Sequence, residues 1–121
     1  MLGEVVGTHS LQNGLKINVI DASKKIAGDR YQVILILRMD IPVHPYLADV
    51  QNFTDVDVAL LKAAVGDSVI FEKKAERNFI GQREKDSVFE ALEASLLATI
   101  LKYCGHADFP AKFILKKYLE K

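Results

Sequence analysis

Residues 31–43 read Tyr-Gln-Val-Ile-Leu-Ile-Leu-Arg-Met-Asp-Ile-Pro-Val, and every second residue of this stretch is apolar. The odd-numbered positions, from Tyr31 to Val43, are all apolar, whereas three of the six even-numbered positions, Gln32, Arg38 and Asp40, are polar. A period of two over this length is typical of a β-strand with one face in a core and the other toward water. The sequence therefore predicts an antiparallel sheet with one buried face, which other elements must cover.

A β-hairpin is predicted before this strand, with arms at residues 4–12 and 15–22 and a turn at residues 13–14, Asn-Gly. This dipeptide favours a two-residue type I′ turn, because both central residues of that turn need positive φ. The turn would pair Gln12 with Leu15. The predicted core face of the hairpin consists of Leu15, Ile17, Val19 and Val6. The predicted opposite face carries His9, Asn18, Lys16, Leu11 and Ile20.

The middle of the chain is predicted to alternate between loops and regular elements. Residues 24–29 are expected to form a loop, and Pro42 and Pro45 end the central strand because proline cannot donate to a β-ladder. Residues 44–52 are expected to be irregular.

A helix is predicted over residues 54–65, where Thr54 caps the start and Gly66 occupies the left-handed position after the end. Alternating residues 68–74 predict a fourth strand. The pattern leaves open whether residues 76–81 extend that strand or form a turn.

Two further helices are predicted in the last third of the chain. The first starts at Asp86 or Ser87, with Ser87 and Glu90 as a capping box, and it ends at Gly105. Its apolar stripe is predicted to be Phe89, Leu92, Leu96, Ile100 and Tyr103. Asp108 opens the second helix. Its predicted inner side carries Phe113, Ile114 and Tyr118.

These elements together predict an α+β fold. We expect an antiparallel sheet of about four strands in meander order, with two to three helices packed on one face as a two-layer sandwich. One domain is predicted over residues 1–121, in which residues 1–82 are mainly β with one helix and residues 83–121 hold two C-terminal helices.

Composition narrows the class of function. Sixteen basic residues balance sixteen acidic ones, so we expect no long-range attraction to nucleic acid or to an anionic membrane. The chain is 50% hydrophobic, which argues against disorder. Its single cysteine, Cys104, excludes an internal disulfide. With no apolar run of about 20 residues and no signal-type start at Met1, we expect a soluble, cytoplasmic protein.

The densest polar stretch suggests one candidate binding site. Glu72, Glu76, Arg77 and Asn78 could form a small pocket in which a carboxylate acts as a base and the arginine holds an anion. Mixed charges of this kind are also typical of a solvated edge strand.

Histidine and cysteine residues do not predict a metal centre or a nucleophile. Cys104 and His106 are close in sequence, but His9 and His44 would have to converge on them from a hairpin and a loop. Cys104 also lies toward a helix C-terminus, where the helix dipole disfavours a thiolate. We therefore expect no metal, no cofactor and no catalytic residue.

Isoleucines on the supposedly wet face of the central strand need an explanation. Ile34 and Ile36 lie on that face, and Ile20 is predicted to join them. A contiguous apolar group of this kind marks an interface or a pocket, so either a second copy or a crossing helix must cover it.

Two functions follow from these observations. The preferred prediction is a non-enzymatic protein-interaction module that acts as a homodimer or binds another protein. The alternative is a small-molecule-binding protein or an enzyme that uses the polar stretch.

Overall fold

The central strand organises the structure, a computed structural model that describes residues 3–120; Met1, Leu2 and Lys121 lie outside the described residues. The five strands are β1 (Glu4–Ser10), β2 (Lys16–Asp21), β3 (Lys24–Ala27), β4 (Arg30–Pro42) and β5 (Ser68–Gly81). The helices are α1 (Leu47–Gln51), α2 (Val58–Val65), α3 (Lys85–Cys104) and α4 (Phe109–Leu119). The fold is α+β, as predicted.

All strand pairs in the sheet are antiparallel, and β4 has partners on both edges. β5 runs along one edge of β4, from Arg30 opposite Gly81 to Pro42 opposite Ser68. β2 and β3 share the other edge, and β1 lies outside β2. The order β1-β2-β4-β5, with β3 continuing the path of β2, agrees with the predicted meander.

The core lies between one face of the sheet and the helices. Every odd-numbered residue from Val33 to Val43 is buried, which confirms the alternation seen in the sequence. The helices add buried residues to the same cluster, among them Leu61, Ile100 and Ile114. The opposite face of β4 carries Ile34, which is buried but does not belong to this cluster.

The hairpin register differs from the prediction by one residue. Ser10 lies opposite Lys16, and Leu11 donates its backbone N–H to the carbonyl of Leu15. The loop therefore has three residues, 12–14, and only Gly14 has positive φ, at 87°. This register brings Leu11 into the core, whereas it was predicted on the other face.

The bulge in β1 also overturns a prediction. The register shifts between Val5 and Gly7, so Val6 drops out of the ladder and is exposed instead of lying in the core. A β-bulge sets two residues opposite one and locally redirects the side chains.

Two connections are more ordered than the sequence indicated, and one helix starts later than predicted. Residues 24–27 form β3 and not a loop, and residues 44–51 form a 3-10 turn followed by α1. α2 begins at Val58 because the side chain of Asp57, and not that of Thr54, accepts the backbone N–H groups of its first turn. The prediction left residues 76–81 open, and they extend β5 to Gly81.

Helix α3 begins at Lys85, so the predicted capping box is wrong. Its cap residue, Glu84, makes no side-chain cap bond, and the Ser87 hydroxyl donates to the Glu84 carbonyl. The buried residues are Leu92, Leu97, Ile100 and Cys104. This stripe replaces part of the predicted one, and Tyr103 is 61% exposed.

Candidate functional site

The four residues of the predicted polar site all lie on β5, and all are exposed. Glu72 and Glu76 lie on the sheet face opposite the helices. Four residues of extended strand separate their backbones by about 13 Å. Arg77 lies opposite Val33, so its side chain leaves the sheet on the helix side. Its guanidinium donates to the backbone carbonyl of Glu76 at 2.9 Å. The described structure therefore does not bring the four side chains to one point.

A bulge interrupts β5 next to this stretch. Asn78 and Phe79 lie together opposite Gln32, where the register shifts between Tyr31 and Val33. Phe79 has φ at 58°, a left-handed conformation that is costly for a bulky residue, and its side chain is 72% exposed. Nothing in the sequence signals this position, because the usual residues for it are glycine and asparagine.

The sheet face opposite the helices carries a compact apolar group. Ile36 lies opposite Ile20, Ile20 lies opposite Val5, and Ile34 is the next residue on that face of β4. Together with Ala22, whose N–H donates to the Ile34 carbonyl, these residues span three strands. We call this group the outer patch: Val5, Ile20, Ala22, Ile34 and Ile36.

Residues of the outer patch differ in how much surface they expose. Ile20 is 3% exposed and Ile34 is 8% exposed, whereas Val5 is 51% exposed. Gly3 closes over Ile20 so tightly that a Cβ on Gly3 would lie 2.8 Å from the Ile20 methyl group. The patch is therefore recessed around its isoleucines and raised at Val5.

A groove of about 430 Å³ follows the recessed part of the outer patch. Its position results from a kink between β2 and β3, where the Ser23 hydroxyl accepts the N–H of Ile34 and Asp21 accepts the N–H of Ser23. The groove is lined by Gly3, Asp21, Ala22, Ser23, Lys24, Ile34, Ile36 and Lys74.

A second concave region lies where the β1–β2 hairpin meets the end of α3. The side-chain amide of Asn13 donates to the carbonyl of Cys104 at 2.6 Å and to that of His106 at 3.1 Å. These bonds hold the hairpin loop against the helix end. Beside them is a cleft of about 500 Å³, the hairpin cleft, lined by Ser10, Leu11, Gln12, Leu101, Lys102, Gly105 and His106.

A neighbouring cleft of about 260 Å³ opens at the turn between α3 and α4. The Tyr103 ring meets the Phe109 ring edge-on, with centroids 5.2 Å apart. His106 Nδ1 accepts the backbone N–H of Asp108, so a neutral His106 carries its proton on Nε2. We call this the aromatic cleft, lined by Lys102, Tyr103, His106, Asp108, Phe109 and Lys112. Sequence reasoning missed it because Tyr103 was placed in the core.

Cys104 and the histidines do not form a joint site. Burial raises the pKa of the Cys104 thiol to about 12, and the positive charge of Lys73 opposes that shift. His9 lies 3.9 Å from Glu93, and His44 is exposed at the start of the 3-10 turn. Within residues 3–120, no three His, Cys, Asp or Glu side chains come close enough to hold a metal ion.

Helix α2 exposes an apolar side to solvent. Leu61 is fully buried, but the adjacent Leu60 is 61% exposed. Its exposed neighbours on the helix are Ala59, Ala63 and Ala64.

No helix among the described residues is long and apolar enough to cross a membrane.

Comparison with known proteins adds no relative to this geometry. No family model, no curated protein and no solved structure matches the chain.

Proposed function

We propose that this chain is a non-enzymatic protein-interaction module that forms a homodimer through the outer patch. The observation that supports the proposal most is the position of the patch on the sheet face opposite the helices. Antiparallel sheets often leave one face to water, but such a face is normally polar. Exposed contiguous apolar residues mark interaction sites. Val5 and the partly exposed Ile36 form the exposed part of the outer patch, whereas Ile20 and Ile34 are already buried within the chain.

The shape of the outer patch favours a second copy as the partner. A two-fold interface uses the same surface on both subunits, so that surface must fit itself. Val5 stands out from the patch, while Ile34 and Ile36 form the floor of a groove. In a face-to-face dimer, Val5 of each copy would fill the groove of the other.

The charged rim of the patch is compatible with the same arrangement. A standard interface buries about 800 Å² on each partner, so the rim must be covered along with the five apolar residues. The rim carries both signs, with Lys74 and Arg38 beside Glu72 and Glu76. Opposite charges can therefore meet across a two-fold axis, and the zero net charge of the chain does not oppose association.

A charge in the outer patch should dissociate the dimer. We expect sedimentation velocity to give twice 13.5 kDa for the unaltered chain and 13.5 kDa for Val5→Glu and Ile36→Glu. A buried carboxylate without a partner costs several kcal/mol, enough to abolish a micromolar dimer. Val5→Glu is the safer variant for folding, because Val5 is already half in solvent.

Leu60→Glu is the matched control, because it adds the same charge at an exposed apolar residue on the helical layer. We expect this variant to remain a dimer. A monomeric unaltered chain would refute the homodimer, and a dimer lost only in Leu60→Glu would move the interface to α2.

The cytoplasm remains our proposed location. A single cysteine gives the chain no internal disulfide to maintain, which suits a reducing compartment.

A further inference from the structure

We propose that the aromatic cleft binds a small phosphate ester of an aromatic group, independently of the proposed dimer. The cleft combines an aromatic surface with cationic side chains in one concave site of about 260 Å³. Binding sites for small molecules are typically concave and mostly apolar, with a few polar groups that fix the orientation of the ligand.

Tyr103 provides the surface for the ring of the ligand. Its side chain is 61% exposed, yet its ring is held edge-on against Phe109, which is buried. Phe109 in turn stacks on Phe113 with centroids 5.5 Å apart, so the support of Tyr103 continues into the core. A fixed and exposed aromatic ring can accept a second ring by stacking or edge contact at little cost in conformational entropy.

Lys102 and Lys112 provide the charge for the phosphate. Both side chains line the cleft, and no carboxylate among residues 3–120 lies within 4.0 Å of either ammonium group. The Lys112 ammonium instead lies 5.4 Å from the centre of the Phe53 ring. Asp108 is the one carboxylate residue in the lining, so the two ammonium groups leave the cleft with an excess of positive charge. Two ammonium groups suit a dianion better than a single carboxylate.

His106 adds a hydrogen-bond donor between the two clefts. Because its Nδ1 accepts the N–H of Asp108, its Nε2–H is free to donate to a phosphate oxygen. Lys102 and His106 line both the aromatic cleft and the hairpin cleft. If Lys102 and His106 hold the phosphate, the hairpin cleft, which Ser10 and Gln12 help to line, stays open. That cleft can then receive a polar group attached to the phosphate on the side away from the aromatic ring.

The test is a titration of the full chain by ¹H–¹⁵N NMR with phenyl phosphate, phenol and inorganic phosphate. A ligand of about eleven non-hydrogen atoms at ordinary efficiency binds with a millimolar Kd. We expect phenyl phosphate to shift signals around Tyr103 and His106 in that range. Phenol and inorganic phosphate should each bind at least about tenfold more weakly, because phenol lacks the phosphate group and inorganic phosphate lacks the aromatic ring.

Charge-removing variants locate the site. Lys102→Met and Lys112→Met keep the aliphatic stem and should weaken phenyl phosphate binding by about fivefold or more. Lys116→Met, one turn further along α4 and outside the cleft, should change it less than twofold.

Three outcomes would overturn the proposal. These are shifts away from the cleft, equal binding of inorganic phosphate, and an equal loss of binding in Lys116→Met. The oligomeric state of the same samples is measured separately, so failure of the dimer and failure of this site remain distinguishable.

Discussion

Asn13 should hold the end of α3 against the hairpin, and replacing it tests that connection. Its amide donates to the carbonyls of Cys104 and His106, and its side-chain oxygen accepts the N–H of Leu15. The last carbonyls of a helix have no partner within the helix, so an outside donor is needed where they are buried. We expect Asn13→Ala to destabilise the fold.

The expected size follows from what each carbonyl loses. The Cys104 carbonyl belongs to a fully buried residue, and leaving it without a donor costs about 1–3 kcal/mol. The His106 carbonyl still accepts the N–H of Phe109 at 3.1 Å, so its loss is about 0.5–1 kcal/mol. Together these effects predict a free energy of unfolding lower by about 1.5–4 kcal/mol.

Urea unfolding followed by far-UV circular dichroism measures this change. With a slope of about 2 kcal/mol per molar urea, the midpoint should fall by about 0.8–2 M. Asn13→Asp removes the two hydrogen bonds that the Asn13 amide donates. It keeps the turn preference and the acceptor for the Leu15 N–H, because aspartate also suits this turn. We expect the free energy of unfolding of Asn13→Asp to fall by at least as much as that of Asn13→Ala.

Gln12→Ala is the control, because Gln12 is exposed in the same loop. Its midpoint should stay within about 0.3 M of the unaltered chain. An Asn13→Asp variant as stable as the unaltered chain would show that the two hydrogen bonds donated by the Asn13 amide contribute nothing to the free energy of unfolding.

Two further predictions concern strain and pH. Phe79→Gly should raise the free energy of unfolding by about 0.5–1 kcal/mol, because relief of the left-handed conformation exceeds the added chain entropy; a Phe79→Gly variant less stable than Phe79→Ala in urea would contradict this. The Cys104 thiol, with its pKa raised from 9.0 to about 12, stabilises the fold fully below about pH 9, and this contribution is lost as the pH rises toward 12. Between pH 8 and 10 the unaltered chain should therefore lose about 1.4 kcal/mol more than Cys104→Ala, and equal losses in urea titrations would count against a buried thiol.

The central strand was predictable because its signal is long and unambiguous. Over thirteen residues, every odd-numbered position is apolar, and this pattern determines which face of the strand enters the core. The tertiary contacts of the strand agree with that local pattern. The hairpin was less secure, since Asn-Gly suits both a two-residue turn and the end of a three-residue loop. Burying Leu11 in the core favours the longer loop, and no local signal reports that long-range gain.

The candidate clefts were beyond sequence reasoning for a different reason. Each depends on a choice between helix positions three and four residues apart, and that choice sets whether Tyr103 or Cys104 faces the core. The bond from Asn13 to the end of α3 joins residues 91 positions apart, and no spacing in the sequence encodes it.

The free edge of β5 has a consequence for how this sheet can grow. Among residues 3–120, β5 pairs only with β4, so its outer edge is open to another strand. In an antiparallel pair of two such edges, opposed residues lie on the same face. Centring that pair on Glu72, Lys74 or Glu76 sets the residue against its own copy, and centring it on Lys74 also sets Glu72 against Glu76. Centring it on Lys73 or Ala75 brings Lys74 opposite Glu72 or Glu76, so these registers also contain attractive pairs. Like charges on the open edge therefore oppose self-pairing in three of these five registers, which limits the ways in which the sheet can add strands.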